Sequence, residues 1–73
     1  MDRDALLHDL AETERQMALG ERELAEQQAL IGELDRDGLD KWEALEALRE
    51  LGKTQALHER RRQLILRALS PQR

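Results

Sequence analysis

The chain has 73 residues, of which 38% are charged and 40% hydrophobic, with a single aromatic residue and no cysteine. A net charge of −4 provides no overall attraction to nucleic acid or to an anionic membrane, and the lack of cysteine excludes disulfides and cysteine-ligated metals. So short a chain forms at most one small domain, whose core is too limited to be self-sufficient.

The first predicted element is a helix over about residues 4–37. Apolar, small and neutral polar residues recur there at alternating steps of four and three, which is typical of helices that cross at a shallow angle. The predicted stripe consists of Leu6, Leu10, Thr13, Met17, Gly20, Leu24, Gln27, Ile31 and Leu34.

A very short turn over residues 38–40 follows. Gly38 can adopt the left-handed conformation that closes a helix, and Leu39 would then complete a Schellman motif by contacting Leu34. Asp40 is predicted to cap the next helix, with Glu43 as its capping-box partner.

The second predicted helix spans about residues 41–69 and ends before Pro71, because the residue preceding a proline avoids the helical region. Its stripe consists of Ala44, Leu48, Leu51, Gln55, His58, Arg62, Ile65 and Leu69. The short turn makes the two helices antiparallel. The sequence therefore predicts one all-α domain over residues 1–73, an antiparallel two-helix hairpin resembling a coiled coil.

Folding the chain about this turn brings together residues whose numbers sum to about 75. The middle of the seam is polar, and Gly20 is predicted to face Gln55 there. The predicted charge pairs are Glu14 with Arg61 and Glu26 with Arg49.

Several large apolar residues lie beside or outside the two stripes. A hairpin has one seam and no third layer, so these side chains remain in water unless another chain covers them. We expect a homodimer that forms a four-helix bundle, or docking of another protein. Parallel docking of two hairpins, antiparallel docking, and a domain swap in which the turn opens into one long helix are all open for the dimer. The expected dimer or partner interface consists of Leu7, Leu19, Leu30, Trp42, Leu45, Leu57, Leu64 and Leu66.

The two histidines, His8 and His58, are far apart in this register, and no pair of a nucleophile and a base is apparent. We expect no enzyme activity, no metal and no cofactor. For His58 we favour a structural role in a partly wet seam, and the alternative is an interface that responds to pH.

Arg60 and Arg61 belong to the densest basic run and are the candidate residues for nucleic-acid contact. The competing interpretation is a solvated helix face whose charge is offset by glutamates of the first helix. No aromatic side chain is interleaved for base stacking, so we regard nucleic-acid binding as the weaker alternative.

Targeting signals and membrane spans are not apparent in the sequence. The charged start lacks an apolar run of the kind found in signal peptides, and no stretch approaches the roughly 18 apolar residues that a membrane span needs. We expect no membrane partner and, by default, a cytoplasmic location.

The chain also resembles a family of short, uncharacterised bacterial proteins. Over residues 10–66 it shares their pattern GER…A.Q…I.EL.RDG.D followed by ALH and a later arginine. Lys41 stands where members often carry threonine. The resemblance implies a bacterial helical hairpin and carries no established activity. The matching residues are Gly20, Glu21, Arg22, Ala25, Gln27, Ile31, Glu33, Leu34, Arg36, Asp37, Gly38, Asp40, Ala56, Leu57, His58 and Arg62.

Together these observations predict a small non-enzymatic module for protein–protein interaction or regulation that acts as a homodimeric helical bundle. A nucleic-acid-binding regulator using the Arg60–Arg62 face is one alternative. A structural accessory subunit of a larger assembly is another.

Overall fold

The computed structural model describes residues 2–71, which form two helices, α1 (Arg3–Arg36) and α2 (Trp42–Leu69), packed antiparallel along their length. The prediction of an all-α helical hairpin is confirmed. The molecule is a rod with principal extents of 57 × 16 × 15 Å. The sequence placed α1 at about 4–37 and α2 at about 41–69.

The connection between the helices is stabilised by backbone hydrogen bonds at the end of α1. Gly38 has a φ of +67°, the left-handed conformation that only glycine adopts without steric cost. The Leu39 N–H donates to the Leu34 carbonyl at 2.9 Å, and the Gly38 N–H donates to the Asp35 carbonyl at 3.2 Å. These two bonds define a Schellman motif, the arrangement expected for Gly38 and Leu39.

The start of α2 differs from the capping box expected at Asp40 and Glu43. Lys41, with φ −115° and ψ 12°, lies between Asp40 and the first helical residue, Trp42. The Asp40 carboxylate still accepts a hydrogen bond from the Trp42 N–H at 3.0 Å. Because Lys41 occupies the cap position, Glu43 is the second helical residue, one position too early to complete a capping box.

The seam between the helices contains the residues of both predicted stripes. Every stripe residue is buried or half-buried. The most buried members are Ala44 and Ile65 among apolar side chains and Thr13 and Gln55 among polar ones. Half of this small core is therefore polar, which limits what the seam alone contributes to stability.

The polar groups of the seam are satisfied mostly by backbone carbonyls. The Gln55 Nε2 donates to the Met17 carbonyl at 2.8 Å, and the Gln27 Nε2 donates to the Ala44 carbonyl at 3.0 Å. The Thr13 hydroxyl donates to the Asp9 carbonyl one turn earlier. Two glutamines thus cross the seam in opposite directions, one from each helix, and fix the axial offset of the helices.

Gly20 makes room for the Gln55 amide. A Cβ at position 20 would lie 2.0 Å from the Gln55 Oε1, which no side chain can tolerate without displacing that amide. The predicted facing of Gly20 and Gln55 is confirmed. The Gln55 Oε1 is buried and accepts no conventional hydrogen bond within residues 2–71, and it lies against the side of Gly20 where other residues carry a Cβ.

We predict that Gly20→Ala lowers the free energy of unfolding by about 1 kcal/mol. The added methyl group displaces the Gln55 amide, which loses its hydrogen bond to the Met17 carbonyl and stays buried without a partner. The cost in free energy exceeds the gain in helix propensity from alanine. In a Gln55→Ala background the same substitution should instead stabilise by about 1 kcal/mol, because only the propensity gain remains. Chemical denaturation of the double-mutant cycle measures this. The Gln55→Ala variant alone is the reference for the second comparison. An equal effect of Gly20→Ala in both backgrounds would contradict the interlock.

We predict that Gly38→Ala destabilises the hairpin by about 1–2 kcal/mol, because an L-residue must adopt the left-handed conformation there. Apart from the chain neighbours of Gly38, no atom of residues 2–71 lies within 4 Å of the Cβ position, so the effect isolates backbone strain from steric collision. Gly38→Asn should cost less, since asparagine tolerates this conformation better than alanine. Thermal unfolding followed by circular dichroism separates the two variants. Equal melting temperatures for both would argue against strain at this position.

Candidate functional site

Two ion pairs across the seam define two opposite faces of the rod. The Arg62 Nε lies 3.3 Å from the Glu14 Oε2 on one side, which we call face A. The Arg61 Nη2 lies 3.9 Å from the Asp9 Oδ2 on the other side, which we call face B. The predicted pairing of Glu14 with Arg61 is wrong, because Arg61 and Arg62 are neighbours on α2 that flank the seam on different sides.

The predicted pairing of Glu26 with Arg49 is also not observed. Arg49 instead lies 3.7 Å from Glu46, one turn away on its own helix. The Arg49 side chain is largely exposed and the Glu46 side chain is partly exposed, so the contact contributes little to stability.

Face A combines large apolar side chains with small ones. An open cleft on this side is lined by Glu14, Ala18, Glu21 and Arg62, together with Met17 of the seam. The heptad repeat extends the same side along the rest of both helices. Small residues recur on α1 every seven positions, and large apolar side chains cluster near the two ends. Face A comprises Leu7, Ala11, Glu14, Ala18, Glu21, Ala25, Gln28, Gly32 and Asp35 of α1, and Trp42, Leu45, Arg49, Gly52, Ala56, Glu59, Gln63 and Leu66 of α2.

Face B is dominated by carboxylates, with leucines among them. A cleft of about 300 Å³ on this side is lined by Asp9, Glu12, Thr13, Gln16, His58 and Arg61. The repeat places further acidic residues on the same side, and Arg61 is the basic group among them. The carboxylates of face B are Asp9, Glu12, Glu23, Glu26, Glu33, Glu43 and Glu50.

The eight side chains expected at an interface are all exposed, and the structure divides them between the two faces. Face A carries Leu7, Trp42, Leu45 and Leu66, and face B carries Leu19, Leu30, Leu57 and Leu64. Trp42 and Leu57 are the most exposed of them, at 65% and 66%. A single flat partner surface cannot cover both sets, because they lie on opposite sides of the seam.

The basic side chains proposed for nucleic-acid contact are similarly separated. Arg61 reaches Asp9 on face B, whereas Arg60 lies on the outward ridge of α2, farthest from the seam. Other basic residues continue the outward ridges of both helices. These ridge residues are Arg15, Arg22 and Arg36 on α1 and Lys53, Arg60 and Arg67 on α2. The positive charge therefore forms two thin lines on opposite edges of the rod rather than one patch.

His58 lies in the seam at the floor of the face B cleft. Its Nδ1 atom is buried and has no hydrogen-bond partner within residues 2–71. Its neighbours in the cleft include Asp9, Glu12 and Arg61. No group of histidine and carboxylate residues in the described chain is arranged to hold a metal ion. The pH-dependent interface proposed for His58 stays a prediction.

Two exposed carboxyl groups have lowered pKa values. The Arg15 guanidinium, assisted by the Gln16 amide, lowers the pKa of Glu12 on face B. The Lys41 ammonium, which donates to the Asp35 carboxylate, lowers the pKa of Asp35 beside the turn. The Lys41–Asp35 pair joins the last turn of α1 to the residue before α2.

Sequence reasoning overlooked the small residues that α1 contributes to face A, and the presence of Arg49 and Glu59 on that same face of α2. Ala11, Ala18, Ala25 and Gly32 recur at intervals of seven residues on α1. That spacing equals the heptad period of the seam, so the sequence already indicated that these small residues share one side of α1.

Comparison of the chain with protein-family models, with curated proteins and with solved structures finds no match. The resemblance to the bacterial hairpin family stays a prediction. None of the described helices combines the length and apolar character required to cross a membrane.

We predict that Lys41→Met raises the pKa of Asp35 toward its ordinary value, because the ammonium that favours the charged carboxylate is removed. In the native chain the lowered pKa stabilises the fold above about pH 4, and this contribution is lost as the pH falls through the folded-state pKa. Carbon-detected NMR titration of the carboxyl groups measures the shift. Glu12 serves as the internal control, since its pKa depends on Arg15 and should not move. An unchanged Asp35 titration would contradict the assigned cause.

Proposed function

We propose that this protein is a non-enzymatic protein–protein interaction module that acts as a homodimeric helical bundle. The observation that carries this proposal is the number of large apolar side chains exposed along both faces of the rod. Full burial of each such side chain is worth about 1.5–3 kcal/mol. The seam of the single hairpin leaves that free energy unused, and a second chain can recover it.

The surface area of the chain supports the same conclusion. Its solvent-accessible surface is 5968 Å². A compact monomer of 8.5 kDa would expose about 4,700 Å². The excess is larger than the roughly 800 Å² that each partner contributes to a standard protein interface. One hairpin therefore has enough uncovered surface for at least one stable interface.

The radius of gyration also shows that the chain is more extended than a compact domain, in agreement with its large surface area. The radius of gyration is 16.8 Å, whereas a compact chain of this length has a value of about 11 Å. Side-by-side packing of two such rods is the arrangement that buries the largest area, because both faces run along the whole length.

Two separate faces give the module two roles. Face A, which combines apolar and small side chains with fewer carboxylates than face B, suits a second copy of the chain. Face B, with leucines among carboxylates, then remains exposed and suits a different protein with a complementary basic and apolar surface. A structural accessory subunit of a larger assembly would use the same two faces, and this alternative stays open.

Nucleic-acid binding is the less favoured alternative. Arg61 is paired with Asp9 and Arg62 with Glu14, so part of the basic run is offset by carboxylates of α1. The remaining positive charge lies on two opposite ridges that a single duplex cannot contact together. This geometry lowers the expected electrostatic gain from phosphate contacts.

We predict that the untagged chain has a solution mass of twice 8.5 kDa by light scattering at micromolar concentration. Dilution should shift the mass toward that of one chain with a single dissociation constant, because the exposed apolar side chains drive reversible association. Circular dichroism over the same series reports whether the helices persist in the separated chains. A mass of one chain at every concentration tested, up to the millimolar range, would contradict the proposed homodimer.

A further inference from the structure

We propose that face A is the dimer interface and that the two copies pack antiparallel on it, with α2 of one copy running along α2 of the other. This proposal rests on the proposed homodimer and specifies its surface, its symmetry and its register. The occupant of face A is therefore a second copy of this chain.

The proposal arises from the order of residues along α2 on face A. Three pairs of residues are each centred on position 54, close to the middle of the helix. These pairs are Trp42 with Leu66, Arg49 with Glu59, and Gly52 with Ala56. A two-fold axis perpendicular to α2 at this height places each residue opposite the second member of its pair in the other copy.

Each of the three pairs is chemically complementary. Trp42 and Leu66 are both apolar and exposed, so their contact removes apolar surface at both ends of the interface. Arg49 and Glu59 carry opposite charges. Gly52 and Ala56, nearest to the axis, are small enough for the two helix backbones to approach closely. The Gly52 Cβ position is open, with no atom from elsewhere in residues 2–71 inside 4 Å.

Neither Arg49 nor Glu59 forms a close ion pair with another described residue of its own chain. The only ion pair of Arg49 is the exposed 3.7 Å contact with Glu46, and no ion pair of residues 2–71 includes Glu59. The symmetric dimer forms the Arg49–Glu59 pair twice. Charged pairs of this kind contribute to specificity and register as well as to affinity.

Helix α1 obeys the same symmetry. The corresponding axis lies between Leu19 and Gly20, which places Leu7 of one copy opposite Gly32 of the other, a large side chain against a small one. The small residues that recur every seven positions between them leave space for two α1 helices to lie close together. The two helices thus indicate one common axis at the same height on the rod.

The competing dimers place like charges together. A parallel arrangement of the hairpins on face A puts Glu14 of one copy opposite Glu59 of the other, twice. Packing face B on itself brings together two surfaces whose charged residues are seven carboxylates and Arg61. Like charges held opposite each other destabilise an interface, so the antiparallel arrangement on face A is favoured.

Charge reversal tests the interface. Arg49→Glu and Glu59→Arg should each weaken dimerisation at least tenfold, because each creates two like-charge contacts per dimer. The double variant Arg49→Glu/Glu59→Arg should restore the dissociation constant to near its original value. Arg60→Glu makes the same chemical change on the outward ridge of α2 and should leave dimerisation unchanged. Sedimentation equilibrium measures the constants, and circular dichroism checks that each variant remains helical.

The outcomes separate this proposal from the proposed function. A dimeric parent chain whose dissociation constant is unaffected by either single reversal, or is not restored in the double variant, would overturn the face A assignment and leave the homodimer intact. A parent chain that is monomeric throughout would overturn the homodimer and this proposal with it.

Cysteine cross-linking tests the register independently, since the chain contains no cysteine. Leu45 and Gln63 are also centred on position 54 and lie on face A. A mixture of the Leu45→Cys and Gln63→Cys chains should form a disulfide-linked heterodimer under mild oxidation. Neither chain alone should do so, because identical positions are offset by about 27 Å along the helices. Efficient cross-linking of either chain with itself, or none in the mixture, would overturn the antiparallel register.

Discussion

A chain of two helices has a single seam in which to bury apolar side chains, and the other properties of this protein follow from that constraint. Each helix can turn only one stripe toward its neighbour. Everything outside the stripes stays in water, whether it is charged or apolar. In this chain the seam is itself partly polar, with Thr13 and Gln55 among its most buried side chains. The seam therefore buries less apolar surface than the core of most small domains, and the proposed second chain would bury more of it.

The polar seam has a structural consequence of its own. Apolar heptad seams permit helices to slide by a turn at modest cost, whereas a glutamine that must reach one particular carbonyl does not. Gln55 reaches the Met17 carbonyl only if Gly20 leaves space beside it, and Gln27 reaches the Ala44 carbonyl from the opposite helix. These contacts fix the axial offset at a cost in apolar burial. The offset in turn decides which residues share each face.

Segregation of charge between the faces gives the rod its proposed roles. Face B carries seven carboxylates, basic side chains follow the outward ridges, and face A combines small and apolar residues with four carboxylates and Arg49. The net charge of −4 gives no indication of how the charged residues are distributed among the faces and ridges. A surface that carries one sign of charge resists self-association, whereas one that carries both signs in a symmetric order promotes it.

The sequence alone determined the features that depend on neighbours along the chain. The heptad stripes located both helices and the seam residues, and Gly38 with Leu39 indicated the Schellman turn, because these signals act within one or two helical turns. Only the tertiary structure decided the pairing of charges across the seam and the division of exposed leucines between two faces. Those features depend on how each helix is rotated about its own axis. Arg61 and Arg62 are adjacent in sequence but point to different sides of the seam, so the rotation of α2 decides which acidic residue each one meets. Lys41 lies between Asp40 and α2, so the cap position falls one residue later than expected. The geometry of the turn decided this start, whereas the sequence argument relied on the preference of aspartate for cap positions.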